Sequence, residues 1–240
     1  MDSTQKILFY GDLSAKNAIK NKERKILRAD SYVFIFFALI IFIATLSYGI
    51  VQWYSNNKSE LPYYSGNPKN NTTATGAYFT IPSFLFINQD GQPITSDFIK
   101  NKIWVADYFF TSCASSCPKL TKSLKSIQTE YKSDNNVRLI SFSVDPERDT
   151  PSRLTSYAKL FGATIGQWQF LTGDKKALYV FARNGLRINA SEGDGGANDF
   201  IHSSSLVLID KIGHIRGYYD GTSESDVQQL IKDIKRLENN

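Results

Sequence analysis

The chain has 240 residues, 42% of them hydrophobic and 21% charged, with a formal net charge of +5. That length holds one ordinary domain plus extra segments, and that apolar share excludes a disordered chain. Up to Asp30, seven Lys and Arg stand against four acids, so the rest of the chain carries only +2, and a basic nucleic-acid footprint is excluded.

Taken in order, residues 1–31 form a basic leader and residues 32–54 an anchor. No charged residue occurs from Ser31 to Asn57, and Tyr32 to Trp53 is almost continuously apolar. Such a helix spans the roughly 30 Å hydrocarbon core of a bilayer. Tyr32 at one end, and Trp53 with Tyr54 at the other, suit the two interfaces. Lys16, Lys20, Lys22, Arg24, Lys25 and Arg28 crowd the N-terminal flank, whereas only Lys58 lies close on the other side. The positive-inside rule then leaves the leader in the cytoplasm (or mitochondrial matrix) and everything after the anchor across an inner membrane, on the periplasmic or extracytoplasmic side. A cleaved signal peptide is the rival reading. The long basic leader, the length of the apolar run and the lack of a small-residue cleavage site before Trp53 speak against it.

Residues 55–77 are polar and turn-rich and read as a tether. Within it only Tyr63 and Tyr64 are aromatic. Residues 78–240 form the domain. The pattern predicts a strand over Phe84 to Asn88, a turn at Gln89 to Gln92, a short helix capped by Thr95 or Ser96, and a buried strand over Lys102 to Phe110. A helix follows from Ser115 or Ser116 to about Lys132, with Pro118 in its first turn and Leu120, Leu124, Ile127 and Tyr131 on one face. Val137 to Val144 reads as the next strand, and Thr150 and Pro151 open a helix that presents Leu154, Tyr157 and Leu160. Trp168 to Leu171 is a short strand and Asp174 to Asn184 a helix, with Gly185 placed to end it. Asn189 to Asp199 is a glycine-rich loop. Ser204 to Asp210 and His214 to Tyr219 form a hairpin, and a helix from Ser225 to Leu237 closes the chain. Strands alternating with helices give a three-layer α/β domain with a mixed sheet.

The chemistry sits where the strand Lys102 to Phe110 meets its helix. Cys113 and Cys117 are the only cysteines. If both lay on the helix they would be one turn apart, with Cα atoms about 6 Å from each other, which suits a disulfide or two thiolates around one soft metal ion. The helix N-terminus, with Lys119 and Lys122, favours the thiolate that both chemistries need. A disulfide that merely clips strand to helix is the plainer alternative, and it would close a very short loop. Asp107 interrupts the apolar strand six residues before Cys113. It is either a buried carboxylate near the site or a partly wet position on the strand face. Asp145 and Asp149 are candidates for support of the site, or for simple turn and cap duties.

Tyr108 to Cys113, Cys117-Pro118, the run Ser141-Phe142-Ser143-Val144-Asp145-Pro146-Glu147-Arg148-Asp149-Thr150-Pro151 and His202-Ser203 before a strand together resemble the Sco (SenC) family. That resemblance implies a thioredoxin-like fold with a mixed central sheet flanked by helices, preceded by one transmembrane helix. It also implies a copper site formed by Cys113, Cys117 and His202. The implied function is a membrane-anchored chaperone that delivers copper to the Cu(A) site of a cytochrome c oxidase subunit, served by a copper donor and a thiol reductant. Many members carry Pro and Asp in or beside the cysteine motif and Asp directly before the histidine, whereas this chain has Ala114, Ser115 and Ser116, and Ile201 with Asp199 three positions before the histidine. Two thiolates and an imidazole form a soft set suited to Cu(I), while structural zinc prefers four protein ligands. His214, the other histidine, reads as an ordinary exposed residue, and the Asn189 to Asp199 loop as the segment that lets His202 close over the ion. The alternative is a thiol-disulfide oxidoreductase with Cys113 and Cys117 as its redox pair. A peroxidase and a non-catalytic interaction module rank behind both.

Overall fold

The computed structural model describes residues 36–53, 60–64, 78–113, 116–188, 201 and 203–239. It divides into two compact units, Met1–Ser59 and Glu60–Asn240. In the first, helix α1 (Phe36–Trp53) has a mean hydropathy of 1.9 and is long and apolar enough to cross a membrane. Its hydroxyl groups are satisfied inside the helix: Thr45 Oγ1 donates to the Phe42 carbonyl and Ser47 Oγ to that of Ala44, both at 2.9 Å. Internal pairing of this kind is what a hydrocarbon environment demands. Tyr32 and Tyr54 lie outside the described residues.

The second unit is a seven-stranded mixed sheet. Its strands are β1 (Leu85–Asn88), β2 (Pro93–Thr95), β3 (Ile103–Phe109), β4 (Val137–Ser143), β5 (Trp168–Thr172), β6 (Ser205–Ile209) and β7 (Ile215–Asp220). They lie in the order β2-β1-β5-β4-β3-β6-β7. β3, β4 and β5 run parallel, while the hairpins β1–β2 and β6–β7 pair antiparallel at the two ends. Helices α2 (Cys117–Glu130), α3 (Pro151–Leu160) and α5 (Glu224–Glu238) cover one face, and α4 (Lys175–Val180), continued by a π-turn over Phe181–Gly185, packs on the other.

The residues explain these elements. All seven positions of β3 are buried, as expected of an interior strand covered on both faces. The helices start where capping side chains allow: Thr150 Oγ1 accepts the Arg153 N–H, Asp174 that of Ala177 and Ser223 that of Asp226. Pro118 sits in the first turn of α2, where no N–H is missed. The α2 helix also approaches the β7–α5 turn closely, since a Cβ on Gly221 would overlap Leu120, and the Ser123 hydroxyl donates to the Gly221 carbonyl at 2.7 Å.

Several expectations need correction. β2 was not predicted, and at three residues it is too short to show a period. Leu160 is 77% exposed; the inner face of α3 is Leu154, Tyr157 and Ala158, because repeated steps of three residues drift around a helix of 3.6 residues per turn and carry Leu160 about 120° away from Leu154. Gly185 does not cap a helix in a left-handed conformation. It lies in the π-turn, and a Cβ there would meet the Phe181 ring at 2.8 Å, so glycine is required for close packing.

Part of the tether docks on the domain. Leu61 is buried, the Tyr64 N–H donates to the Ile215 carbonyl at 2.9 Å, and the Arg216 guanidinium donates to the Leu61 carbonyl at 2.6 Å and the Pro62 carbonyl at 3.2 Å. Tyr63 stacks on Tyr78 at 4.0 Å and lies under the same guanidinium. His214 is consequently not an exposed residue: its side chain is 15% accessible, both tyrosine rings meet it edge-on, and its Nδ1 lies 3.7 Å from Asp210. The remaining tether residues, 55–59 and 65–77, lie outside the described residues.

Candidate metal centre

The site forms at the C-terminal end of β3, where the chain leaves the sheet and returns as α2. This is the end at which open α/β sheets place their sites. Phe110–Cys113 is a tight turn closed by the Cys113 N–H on the Phe110 carbonyl at 3.2 Å. Helix α2 begins at Cys117, close to the expected start at Ser115 or Ser116, so the two cysteines do not share a helical face as they would if both lay on it. Cys113 lies in the turn before the helix and Cys117 is its first residue. They meet through a different contact: the Cys117 backbone N–H points at the Cys113 sulfur at 3.4 Å, and the Ser116 hydroxyl lies 4.0 Å from that sulfur. No disulfide joins them in this structure.

Their surroundings differ. Cys113 is partly exposed, whereas Cys117 is 6% exposed and belongs to the core cluster with Leu120, Phe109 and Tyr157. The thiol of Cys117 is pushed up to about 12, first by burial, then by the neighbouring Cys113 sulfur and the charge of Asp107. The expected thiolate-favouring field of the helix terminus is therefore outweighed at Cys117, because taking a sulfur anion out of water costs more than a partial charge returns.

Asp107 proves to be the buried alternative. Odd positions of β3 (Ile103, Val105, Phe109) enter the cluster that contains Cys117, while even positions (Trp104, Ala106, Tyr108) enter the opposite one. Alternation puts Asp107 on the cysteine side. It is fully buried and, among the described residues, its oxygens find no hydrogen-bond partner of normal geometry. Burial raises its carboxyl to about 7, against a smaller lowering influence from Ser141 on β4. The Ser141 hydroxyl already accepts the Trp168 indole N–H at 3.0 Å. Asp107 raises both Cys117 and Tyr157, so the three groups sense one another.

Asp145 and Asp149 separate into two roles. Asp145 pairs with exposed Arg148 at 3.3 Å, which is turn chemistry at the surface. Asp149 is fully buried and joins the site. Its carboxylate accepts the Thr111 N–H at 3.2 and 3.3 Å, the Thr111 hydroxyl at 2.5 Å and the Ser143 hydroxyl at 2.6 Å. Sequence reasoning named Asp149 without its partner. The signal for Thr111 was only its place in the motif, two residues before Cys113.

His202, Ala114, Ser115 and the loop Asn189 to Asp199 lie outside the described residues. Among the described residues no three His, Cys, Asp or Glu side chains gather as a metal site. What the described part contains is two of the three predicted donors, brought together with one sulfur open to solvent. Such a half-site suits a soft cation that needs few ligands, or exchange with another sulfur.

Comparison with known proteins places this fold among known structures. A crystal structure of a SCO1/SenC family lipoprotein from Bacillus anthracis superposes with a TM-score of 0.58 at 33% identity, covering 67% of this chain and 95% of that one. BsSco, a member of the Sco family of cytochrome c oxidase assembly proteins in which a disulfide switch was identified, gives 0.56 at 32% identity over 66% of this chain and 93% of its own. Arabidopsis thaliana ScoI with copper bound gives 0.53 at 25% identity over 68% and 100%. The sheet and helices described above are thus the thioredoxin-like fold of these proteins. The SCO1/SenC family model matches residues 72–239, and the chain belongs to the SCO1/SenC family.

Proposed function

We propose that the chain is a membrane-anchored copper chaperone that delivers copper to the Cu(A) site of a cytochrome c oxidase subunit, with Cys113, Cys117 and His202 as its ligands. The observation that carries this reading is the pairing of an accessible and a buried thiol where β3 leads into α2, with the Cys117 backbone N–H 3.4 Å from the Cys113 sulfur. Copper, as cargo, meets Cys113 first. Cys117, with its thiol raised to about 12, gives up its proton only to a species that binds sulfur more strongly, which a soft cation does. His202 supplies a neutral third donor and completes a low-coordination set that a stronger acceptor site can strip by ligand exchange. Copper bound to the Arabidopsis relative supports the choice of metal.

The anchor reading extends this. With six Lys and Arg from Lys16 to Arg28 ahead of the apolar run, the leader stays inside and the domain works on the far side of an inner membrane. A cysteine-linked lipid beside that run is excluded, because the only cysteines are Cys113 and Cys117.

The test is metal analysis of the reduced full-length protein in detergent. One copper per chain is expected, lost in Cys113→Ser and in Cys117→Ser, and held more weakly in His202→Ala. Full copper loading of both serine variants would refute the assignment.

The same thiol pair favours a second reading, reduction of a partner's disulfide. Cys113 as thiolate would attack one partner sulfur and release the other as a thiol. Cys117 would then displace the mixed disulfide, leaving the chain oxidised and the partner dithiol free. Covalent capture of the partner by Cys117→Ser distinguishes this activity from copper transfer.

A further inference from the structure

Asp149 is buried, and among the described residues no cation pairs with its carboxylate. Its hydrogen-bond donors among the described residues are Ser143 and Thr111, and Arg153 reaches it only through the Thr111 hydroxyl, to which its Nε–H donates at 2.7 Å. A carboxylate removed from water in this way is costly unless its hydrogen bonds do something the fold needs. The ordinary duties of such a loop residue are already filled. Thr150, not Asp149, caps α3, and the loop is closed by backbone, the Asp149 N–H donating to the Asp145 carbonyl at 2.9 Å.

What the side chain does hold is Thr111. Both Thr111 donors go to Asp149, and the hydroxyl lone pair faces Arg153, so neither the residue nor its hydroxyl rotor is free to turn. Thr111 and Ser112 are the two middle residues of the turn that the Cys113 N–H closes on Phe110. Fixing Thr111 therefore fixes the turn, and its end is the Cys113 sulfur facing the Cys117 N–H. That N–H opens a helix of 14 residues, where an anionic sulfur is stabilised.

We propose that Asp149 is a positioning residue for Cys113: acting through Thr111, it holds the 110–113 turn so that the sulfur stays on the Cys117 N–H. The inference rests on the reading of Cys113 and Cys117 as the working pair, and gives the acidic loop after β4 a defined part in it. Arg153 is the outer brace of the same device. It is exposed and meets the device through the Thr111 hydroxyl.

The test is the rate at which iodoacetamide alkylates Cys113 in the reduced full-length protein, located by peptide mapping and followed against pH. Thr111→Val leaves the carboxylate in place but cuts the hydroxyl link. It should slow alkylation at neutral pH about tenfold, as an upward move of one pH unit in the profile requires. Thr111→Ser keeps the link and should restore the rate to within about twofold on the same scale. Asp149→Asn should also slow the reaction, although removing a nearby negative charge would by itself speed it. The two losses should not add in the double variant, since both act through Thr111. Wild-type alkylation in Thr111→Val overturns the proposal, as does faster alkylation in Asp149→Asn with Thr111→Val unchanged, which would mean that the carboxylate acts only through its field. Should Asp149→Asn fail to fold, the Thr111 pair decides alone. Because the rate is read on the reduced, metal-free thiol, it tests the clamp separately from the function proposed above. Failure of copper binding in the unaltered protein would count against the function and leave the clamp standing.

Discussion

The two faces of the sheet are built from one strand and opposite chemistry. Even positions of β3 enter an aromatic core in which Phe142 meets Tyr108 at 5.2 Å, Phe181 at 5.3 Å, Phe86 at 5.7 Å and Phe84 at 5.9 Å. Its hydroxyl groups serve only to tie elements together, the Tyr108 hydroxyl donating to the Leu178 carbonyl and the Tyr179 hydroxyl to that of Val144. Odd positions enter a core that contains Asp107, Cys117, Thr121 and Tyr157, where the Thr121 and Tyr157 hydroxyls share a bond of 2.8 Å and the Thr121 hydroxyl donates to the Cys117 carbonyl at 2.8 Å. One face supplies cohesion. The other gives up some of it to keep titratable groups beside the cysteines.

The largest effect should come from the aromatic face. Phe142→Ala removes the ring at the centre of that cluster and should cost about 3–5 kcal/mol in chemical denaturation, while copper bound per folded chain stays the same. A matching loss of copper would show that the faces are not independent.

Asp107→Asn tests the opposite face. In the folded chain this carboxyl keeps its proton up to about 7, whereas in the unfolded chain it ionises near 4. Between those values the folded state binds more protons, so stability falls as pH rises and remains low above the upper value. The variant should be about 2–4 kcal/mol more stable than the parent at pH 8, with the gain fading towards pH 4. A difference independent of pH would show that the carboxyl is not titrating there. Leu160→Ser should change stability by no more than about 0.5 kcal/mol, since that side chain faces solvent.

Much of this division was readable in the chain. Strand β3 announced itself by its apolar run, α2 and α5 by their three-and-four spacing, and α3 by Thr150-Pro151. The cysteine turn and the odd carboxylate at position 107 were visible as exceptions to that pattern. Other features depended on tertiary context. Leu61 to Tyr64 looked like part of a polar tether because the neighbouring Asn, Ser and Gly dilute the apolar signal, and it is β7 with Ile215 and Arg216, far along the sequence, that gives those residues a surface. Asp149 read equally well as a turn residue, since its value depends on Thr111, 38 positions earlier. The helix dipole argument held for the geometry at Cys117 and failed for its thiol, because sequence gives the helix terminus but not the depth of burial. His202, known from the motif, lies outside the described residues.

The short segment Leu61–Tyr64 has a practical consequence. β7 is the last strand of the sheet, and Tyr64 forms an antiparallel bridge to it at Ile215, shielding an edge that would otherwise recruit other chains. A secretable fragment trimmed to begin at Tyr78 discards that shield along with the Tyr63 ring over Arg216, and invites clumping during purification. Trimming at Glu60 keeps both, and is the natural starting point for crystallisation or titration work.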